Sequence, residues 1–568
     1  MKNNSEYEKI SNERKQLVKD NKVPEWMTTA GYIMYKTKYA YNNEPPKSRF
    51  KTIAKVLASH LPDSISKEAE EKFFDLMWKG LLAPSTPVYA NTGTNRGHPV
   101  SCSGNYIEDS IDGFYTSMHE IAMLSKQGYG TSSYLGEIRH RGAPISSGGT
   151  ADGVVPVIDS FLNTSSKVSQ GNTRRGQWAG YIEIDHPDFE EICGYLLKHP
   201  GELNLGWIIN NNFIERLKNQ DSEAIHRFNE IMYIRSRYGK GYIWKNDTAN
   251  ELAPDVIKNC GIPIKASQLC TEISLPSNKD YTYSCVLSSL NLSKWDEFEK
   301  DTIFWSTIFL DCVCSEAIAK MENEPSGFEK ILRFTKEFRA LGLGALGFHT
   351  YLQQNNIAIE SFDAHLKNVA IFKTINEESL RATKYLAELL GEPKMCKGYG
   401  VRNATRIAIA PNMSSALLCG GVSQGIEPII SNTYIQNTSV GEMTRINPAF
   451  LEVLKKYDKY DQNLIEEINE KHQGSVQHLD FLTEQEKLVF RTAFEINQST
   501  LVRLAATRQK YIDQAQSLNL FFDTDENYIA EVTKEALLNP YIKSLYYQRS
   551  MRLTRGAQRE TGCLACEG

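Results

Sequence analysis

The sequence lacks an excess of basic residues. Its 568 residues include 64 Lys and Arg against 69 Asp and Glu, which gives a formal net charge of -5. No basic footprint of the kind that binds nucleic acid is therefore indicated. No uninterrupted apolar run reaches the roughly 18 residues of a membrane span. The polar start of the chain, Met1 to Glu6, also lacks the apolar stretch of a signal peptide.

A disulfide framework is missing as well. The eleven cysteines are scattered through a long chain, whereas small secreted domains concentrate their cysteines at regular spacings. We therefore expect a cytoplasmic protein with a few reactive thiols. The hydrophobic content of 41% and the charged content of 23% are ordinary for a globular protein.

Hydrophobic periodicity divides the chain into four predicted regions. These are a helical region at 1–85, a mixed α/β region at 86–445, a helical region at 446–545 and a polar tail at 546–568. Helices are predicted at 49–61, 65–82 (with Ser64 as N-cap), 303–321 and 366–390. Short strands are predicted at 102–107, 128–136, 285–292 and 406–410. Strands that alternate with helices favour an α/β core.

The end of the chain combines two kinds of redox-capable residue. Tyr546 and Tyr547 are adjacent, and Cys563 and Cys566 form a C-x-x-C pair on a polar tail. Adjacent tyrosines can pass a one-electron hole, and a dithiol can supply two electrons. By themselves these residues are equally compatible with aromatic packing and half of a zinc site.

A second unusual segment is Ser267-Gln-Leu-Cys-Thr-Glu-Ile-Ser-Leu-Pro276. On an extended strand, Gln268, Cys270 and Glu272 would point to one face. A carboxylate buried without a partner costs free energy, so this pattern favours a polar, functional cavity over an ordinary core.

Four further motifs complete a recognisable set. They are S-T-P-V-Y-A at 85–90, S-C-S at 101–103, S-C-V-L-S-S-L-N-L at 284–292 and A-P-N-M-S-S at 410–415. Together with the segment around Cys270, they resemble the large catalytic subunit of ribonucleotide reductases. The tyrosine pair and the terminal dithiol extend the resemblance to class I, whose radical comes from a separate small subunit. The resemblance runs from about residue 22 to the end of the chain.

The resemblance implies a role for each member of the catalytic set. The residue matching Cys270 forms a thiyl radical that abstracts the 3′-hydrogen, and the carboxylate matching Glu272 acts as general base on the 3′-hydroxyl. Cys102 and Cys285 match the pair that supplies two electrons and becomes a disulfide. Cys563 or Cys566 would then reduce that disulfide by thiol exchange. Gln268 stands where Asn is the commonest family residue.

Nucleotide binding is implied at two other places. The residues that match substrate contacts are Thr86, Ser101, Pro411, Asn412, Met413, Ser414 and Ser415. A helix that starts near Asn412 would offer free backbone N–H groups to phosphate. The residues that match effector contacts are Asp109, Arg139, Gln170 and Arg174. They would read ATP and deoxynucleoside triphosphates and relay their identity to the choice of substrate.

The resemblance also implies a fold and partners. The expected fold is a ten-stranded α/β barrel of the glycyl-radical type, made of two five-stranded halves, with Cys270 on a loop that threads it. The expected partners are a ribonucleoside diphosphate, a metal-containing small subunit, a second copy of this chain, and thioredoxin or glutaredoxin. No metal ligands or tightly bound cofactor are expected in the chain itself. The catalytic pattern starts at Val23-Pro-Glu-Trp26, so no N-terminal ATP-binding activity module is expected.

Two alternatives remain at this point. A cobalamin-dependent reductase with the same barrel would generate its own thiyl radical, but it would not need a tyrosine relay such as Tyr546-Tyr547. A catalytically inactive nucleotide-binding regulator would use the effector site alone, but it would not need to retain Cys102, Cys270, Cys285 and Glu272.

Overall fold

The computed structural model of the protein describes residues 2–170, 174–438, 441–523 and 525–550. Cys563 and Cys566 lie outside the described residues. The α-helices are α1 Lys2–Lys19, α2 Thr29–Met34, α3 Pro46–Ala58, α4 Asp63–Trp78, α5 Thr86–Asn91, α6 Ile111–Lys126, α7 Val155–Lys167, α8 Phe189–Lys198, α9 Asn211–Lys218, α10 Ser222–Tyr238, α11 Asn246–Glu251, α12 Asp255–Lys258, α13 Thr302–Met321, α14 Glu329–Phe338, α15 Phe348–Gln354, α16 Phe362–Leu390, α17 Met413–Leu418, α18 Pro448–Lys456, α19 Gln462–Glu470, α20 Glu484–Val489, α21 Gln498–Gln509 and α22 Glu526–Leu538.

Strands and shorter helical turns complete the described elements. The strands are β1 Leu82–Pro84, β2 Cys102–Tyr106, β3 Gly130–Tyr134, β4 Ser169–Gln170, β5 Arg174–Arg175, β6 Trp178–Glu183, β7 Asn204–Ile208, β8 Tyr242–Trp244, β9 Tyr283–Asn291, β10 Leu341–Leu346, β11 Thr433–Thr438, β12 Gly441–Ile446, β13 Leu520–Phe522, β14 Ser544–Leu545 and β15 Gln548–Ser550. A π-helix spans Tyr35–Tyr39, and 3₁₀ turns span Leu292–Glu297 and Lys394–Cys396.

The N-terminal helices follow the predicted pattern with shifted ends. α4 begins at Asp63, with Pro62 rather than Ser64 as its N-cap. Asp63 places a negative charge in the first turn, where the helix dipole favours it. The helix ends before Gly80, whose φ of +70° is unfavourable for other residues and whose α-carbon lies against the Trp26 ring. Residues 81 and 82 therefore do not continue the helix.

Two sets of five parallel segments form the barrel. β2, β3, β6, β7 and β8 are parallel neighbours in the first set. In the second set, β10 is parallel to β9. Parallel bridges then connect Leu343 to Ile407 and Ile409 to Gln516. The antiparallel pairs β2–β9 and β8–β14 join the two sets.

Backbone hydrogen bonds close the ring between the segment 516–518 and the end of β14. Ser517 N donates to Ile409 O at 2.9 Å, and Tyr546 N donates to Leu518 O at 2.9 Å. The following strands, β13 and β15, are parallel, so the two closing segments run in the same direction. The ring thus has ten positions in two halves of five, which confirms the predicted barrel fold. Two of the ten positions come from 446–545, so strands and helices interleave in that range.

α13 is the most apolar long helix among the described residues. By length and composition it could cross a membrane, which differs from the expectation that no stretch would reach that length, but 78% of its apolar window is buried inside the protein. It packs against α3, α4, α16, β9 and β10. Its all-round apolar character therefore reflects a central position in the core. Cys312 and Cys314 are buried on it.

Lys543 is a buried cation next to the barrel closure. Its ammonium donates to Asp513 O at 3.0 Å and Gln514 O at 2.8 Å. Burial lowers the pKa of Lys543 to about 7, compared with about 10.4 in an unfolded chain. Between these values the unfolded chain binds a proton that the folded chain does not, so stability rises with pH.

We expect Lys543→Met to flatten this dependence. The lysine adds a slope of at most about 1.4 kcal/mol per pH unit to the free energy of unfolding, and the substitution removes it. Urea unfolding at several pH values between 7 and 9.5 measures the slope, with Lys51→Met on the exposed face of α3 as control. Equal slopes for both variants would contradict the assignment.

Candidate active site

The segment with Cys270 is a loop inside the barrel. It connects α12 to β9 and has no regular secondary structure, so the strand predicted for 268–272 is wrong, and Cys270 lies on a loop that is turned rather than extended. The loop turns at Thr271, whose φ is +67°, a value that β-branched residues rarely adopt. A strand cannot pass through this conformation.

Hydrogen bonds from different sides of the ring hold this loop. Ser132 Oγ on β3 donates to Ser267 O at 2.9 Å, and Tyr181 Oη on β6 donates to Gln268 O at 2.5 Å. From the other half, Ser544 Oγ on β14 donates to Thr271 O at 3.1 Å. Because both halves of the barrel contact the loop, it lies within the ring.

Gln268 organises the tip of the loop. Its Oε1 accepts a hydrogen bond from Cys270 N at 2.9 Å, and its Nε2 donates to the Glu272 carboxylate. Ser517 Oγ is 3.1 Å from the same carboxylate and 2.5 Å from Cys270 O. Gln268 and Glu272 are buried, and Cys270 is 8% exposed. The structure thus brings an amide, a thiol and a hydrogen-bonded carboxylate together.

Cys102 and Cys285 are direct partners across the antiparallel pair β2–β9. Facing residues in such a pair have Cα atoms about 4.5–5.5 Å apart, which is within the range that a disulfide spans. Both cysteines are in the thiol form here. Burial raises the pKa of Cys285, and a hydrogen bond from Gln514 opposes this shift. The two thiols are therefore placed to form one bond.

Tyr546 and Tyr547 connect the end of β14 to the loop. The Tyr546 hydroxyl donates to Cys270 Sγ at 3.4 Å. The Tyr546 and Tyr547 rings have centroids 4.1 Å apart, and both side chains are buried. Tyr547, Tyr546 and Cys270 therefore form a continuous contact chain that ends at the thiol.

Several residues of this site carried no signal in the sequence. Tyr242 on β8 packs against both tyrosines, with centroid distances of 5.0 Å to Tyr546 and 5.6 Å to Tyr547. Arg235 on α10 is buried and donates to Tyr546 O at 3.0 Å. No sequence motif marks either one.

The segment 514–519 was also missed. Gln514 reaches Cys285 Sγ, Ala515 N donates to Glu272 O, and Asn519 Oδ1 accepts from Tyr547 N. Every polar side chain of the segment is buried. A run of polar residues at core positions is a usable signal, because buried polar groups need partners.

The predicted substrate contacts gather at one end of the barrel. Ser101 Oγ donates to Ser85 Oγ at 3.0 Å, and Thr86, the first residue of α5, is buried beside it. Ser415 Oγ is 3.5 Å from Pro84 O. α17 starts after Asn412, which has a left-handed backbone (φ +61°) and donates to Ala345 O at the end of β10.

The remaining predicted contacts lie in the same place. Pro411, Asn412 and Ser414 are buried. Met413 packs on the hydrophobic cluster that contains Cys102, Cys270 and Cys285. The predicted substrate residues and the three cysteines therefore border a common region.

The predicted effector residues lie elsewhere. Asp109 follows the end of β2, whereas Cys102 starts that strand. Arg139 Nε donates to Asp109 Oδ2 at 2.6 Å, so these two residues form an ion pair. Gln170 and Arg174 are partners in the small sheet of β4 and β5, and their side chains lie outside the description. Within the described ranges, no group of three or more His, Cys, Asp or Glu side chains could hold a metal ion.

Comparisons with known proteins agree with this geometry. Residues 26–97 match the model "Ribonucleotide reductase, all-alpha domain", and 100–228, 215–399 and 393–547 match "Ribonucleotide reductase, barrel domain". The ribonucleoside-diphosphate reductase large subunit of Invertebrate iridescent virus 3 is 30% identical, over 92% of this chain and 95% of its own. A vitamin B12-dependent ribonucleoside-diphosphate reductase of Thermoplasma acidophilum is 27% identical, over 83% of this chain and 63% of its own.

A solved structure is similar along nearly the whole length. The Actinobacillus ureae class Id ribonucleotide reductase alpha subunit is 36% identical and superposes with a TM-score of 0.84, covering 95% of this chain and 98% of its own. The family models, the viral relative and the shared barrel lead to the same result: this chain belongs to the ribonucleotide reductase large-subunit family.

Proposed function

We propose that this chain is the catalytic subunit of a class I ribonucleoside-diphosphate reductase. The observation that carries the proposal is the contact chain from Tyr547 through Tyr546 to Cys270 Sγ. Such a chain lets a radical made elsewhere reach a buried thiol. The small subunit supplies that radical, and this chain uses it.

Each residue of the site then has a role. Cys270, as a thiyl radical, abstracts the substrate 3′-hydrogen, and Glu272 takes the 3′-hydroxyl proton. Cys102 and Cys285 supply two electrons and two protons as the 2′-hydroxyl leaves as water, and they become a disulfide. The deoxyribonucleotide is released after Cys270 returns the hydrogen. The closed barrel excludes water and oxidants from the radical.

Gln268 can perform the role of the commoner Asn. Its longer side chain still contacts the Glu272 carboxylate, while its carbonyl oxygen is held by Cys270 N. The left-handed turn at Thr271 lies between residues 268 and 272, whose side chains are in contact. Gln268 therefore holds the base and the thiol-bearing backbone in one unit.

The requirement for a small subunit tests the proposal and distinguishes it from the cobalamin-dependent alternative. We expect CDP reduction by the full-length chain only when a metal-containing class I small subunit and a dithiol reductant such as thioredoxin or glutaredoxin are added. Activity with adenosylcobalamin alone would instead support the cobalamin-dependent alternative. The deoxycytidine product, measured by chromatography, is the readout.

We further propose effector control through the region of Asp109. Ile111 and Tyr115, one turn apart on α6, are 71% and 68% exposed. An apolar pair next to Asp109 suits a homodimer contact that an effector nucleotide could strengthen. A reducing cytoplasm is proposed as the location, because the eleven cysteines are scattered and do not have the spacing of a disulfide framework.

The Asp109–Arg139 pair gives a specific prediction. The pair is partly exposed, and pairs of this kind contribute little to stability. If Asp109 accepts hydrogen bonds from an effector ribose, Asp109→Asn should weaken deoxynucleotide binding by roughly 10-fold or more, the value of a charged hydrogen bond. The melting temperature should change little. Isothermal titration with dTTP measures the binding.

A second ion pair serves as the control. Asp185 pairs with Arg216 at 2.8 Å with similar exposure, so Asp185→Asn should leave dTTP affinity unchanged. Equal affinities for both variants and the parent would contradict the role of Asp109.

A further inference from the structure

Gln514 is a buried hydrogen-bond donor to one of the two pair thiols. Its Nε2 lies 3.3 Å from Cys285 Sγ, 3.0 Å from Leu341 O and 3.1 Å from Thr405 Oγ1. Its Oε1 accepts from Ser274 N at 3.0 Å. The side chain is fully buried, and these contacts fix its orientation. The two N–H groups of Gln514 Nε2 are therefore shared among three acceptors, one of which is the sulfur of Cys285.

A hydrogen bond of this kind strengthens when the sulfur becomes negatively charged. Donors to ionised groups make stronger hydrogen bonds than donors to neutral groups. A thiol leaves a disulfide faster when its thiolate is more stable. Gln514 therefore stabilises Cys285 as a leaving thiolate against the burial that raises its pKa.

The neighbours of the two sulfurs favour the same direction. Thiolate attack on a disulfide is in line with the breaking bond, from the side opposite the leaving sulfur. β9 lies between β2 and β10, so attack on Cys285 would come from the β10 side. A Cβ at Gly342 on β10 would lie 3.1 Å from Cys285 Sγ. Gln514 and the Gly342 backbone therefore lie against Cys285 Sγ, and Cys285 is 0% exposed.

The approach to Cys102 has a different neighbour. Across β2–β3, the residue that faces Cys102 is Gly130. Facing residues of neighbouring strands share one face of a sheet, and Gly130 places no side chain on the path in line with Cys102. Cys102 is 5% exposed, compared with 0% for Cys285, so Cys102 is the more accessible cysteine of the pair.

We propose that the Cys102–Cys285 disulfide is reopened by attack on Cys102 Sγ, with Cys285 leaving as a thiolate that Gln514 Nε2–H stabilises. The inference rests on the proposed function, because that function forms the disulfide. The first thiolate of a dithiol reductant bonds to Cys102 as the Cys102–Cys285 bond breaks, and Cys285 takes up a proton. The second thiol of the reductant then displaces Cys102, which leaves the reductant oxidised and both cysteines reduced.

The position of a trapped mixed disulfide tests this direction. The full-length chain carries Cys563→Ser and Cys566→Ser so that only an added thiol can react. Diamide oxidises the pair, 2-mercaptoethanol opens it, and acid quenching followed by alkylation and peptide mass spectrometry locates the adduct. We expect the adduct on Cys102 and the alkylated thiol at Cys285. An adduct on Cys285, or an equal distribution, overturns the inference.

Two variants test the causes. Gln514→Met removes the donor at similar volume and should slow reopening about tenfold or more, the value of a hydrogen bond to a charged group. Gly130→Val should slow reopening by filling the approach to Cys102. Gln516→Met is the matched control, because Gln516 is on the same segment but its side chain bonds to Ala505 O and Gln509. Rates equal to the control for both variants would overturn the inference.

A separate single-turnover experiment tests the proposed function. One turnover with CDP and the small subunit, without reductant, should leave the Cys102–Cys285 disulfide. If product forms and this disulfide does not, the proposed roles of the pair are wrong. If the disulfide forms and opens at Cys285, only the direction of reopening is wrong. If Gln514→Met does not fold, mapping the adduct on the protein that retains Gln514 still tests the direction of reopening.

Discussion

Replacement of Cys270 by serine should abolish CDP reduction while effector binding is retained. The serine hydroxyl keeps a polar group of similar size at the loop tip, but its O–H bond is too strong for the tyrosine chain to form an oxygen radical. The hydrogen bond from Cys270 N to Gln268 involves the backbone and survives the change. Deoxycytidine formation with added small subunit measures activity, and dTTP titration measures effector binding.

A second thiol on the same loop provides the control. Cys260 is partly exposed and donates to Ile262 O, with no described contact to Glu272 or to the tyrosines. Cys260→Ser should therefore retain activity. Turnover by Cys270→Ser at the level of Cys260→Ser would refute the role assigned to Cys270.

Tyr546→Phe should reduce turnover to the level measured without the small subunit. The substitution removes the hydroxyl that donates to Cys270 Sγ at 3.4 Å but keeps the ring that packs on Tyr547 and Tyr242. Phenylalanine cannot be oxidised by a tyrosyl radical, so the path to the thiol is interrupted. Tyr195→Phe, which removes a surface hydroxyl bonded to Asp159, is the control and should remain active.

Thiol chemistry gives Tyr546→Phe a second readout. Oxidation of Cys102 and Cys285 by diamide and their reduction by a dithiol need no radical. We therefore expect normal exchange in this variant together with lost turnover. If exchange is lost as well, the tyrosine has a structural role, and radical transfer is not the explanation.

The sequence predicted the parts of the fold that follow from local pattern. α16 spans Phe362–Leu390 and ends at Gly391, as helical periodicity and a terminal glycine indicate. β9 spans Tyr283–Asn291, close to the predicted 285–292, and is buried throughout although it contains three serines and an asparagine. These elements depend on neighbouring residues, so a single sequence contains the required information.

The site was predictable only as a set of matching residues. Cys102 and Cys285 were identified from family motifs, but their direct pairing depends on the register of β2 against β9, which no spacing in the sequence determines. The turn at Thr271 was not predicted because threonine ordinarily favours strands. Gln514 and Ser517 were not identified because their importance arises from contacts with distant residues.

The closure of the barrel affects when Tyr546 can contact Cys270. β14 is two residues long, its residues Ser544 and Leu545 pair with Trp244 and Ile243 on β8, and Tyr546 is the next residue. Because these residues are contiguous, opening of the β8–β14 pairing would move Tyr546 away from Cys270 Sγ. The contact that would carry an oxidising equivalent to the thiol is therefore available only while this part of the ring is paired.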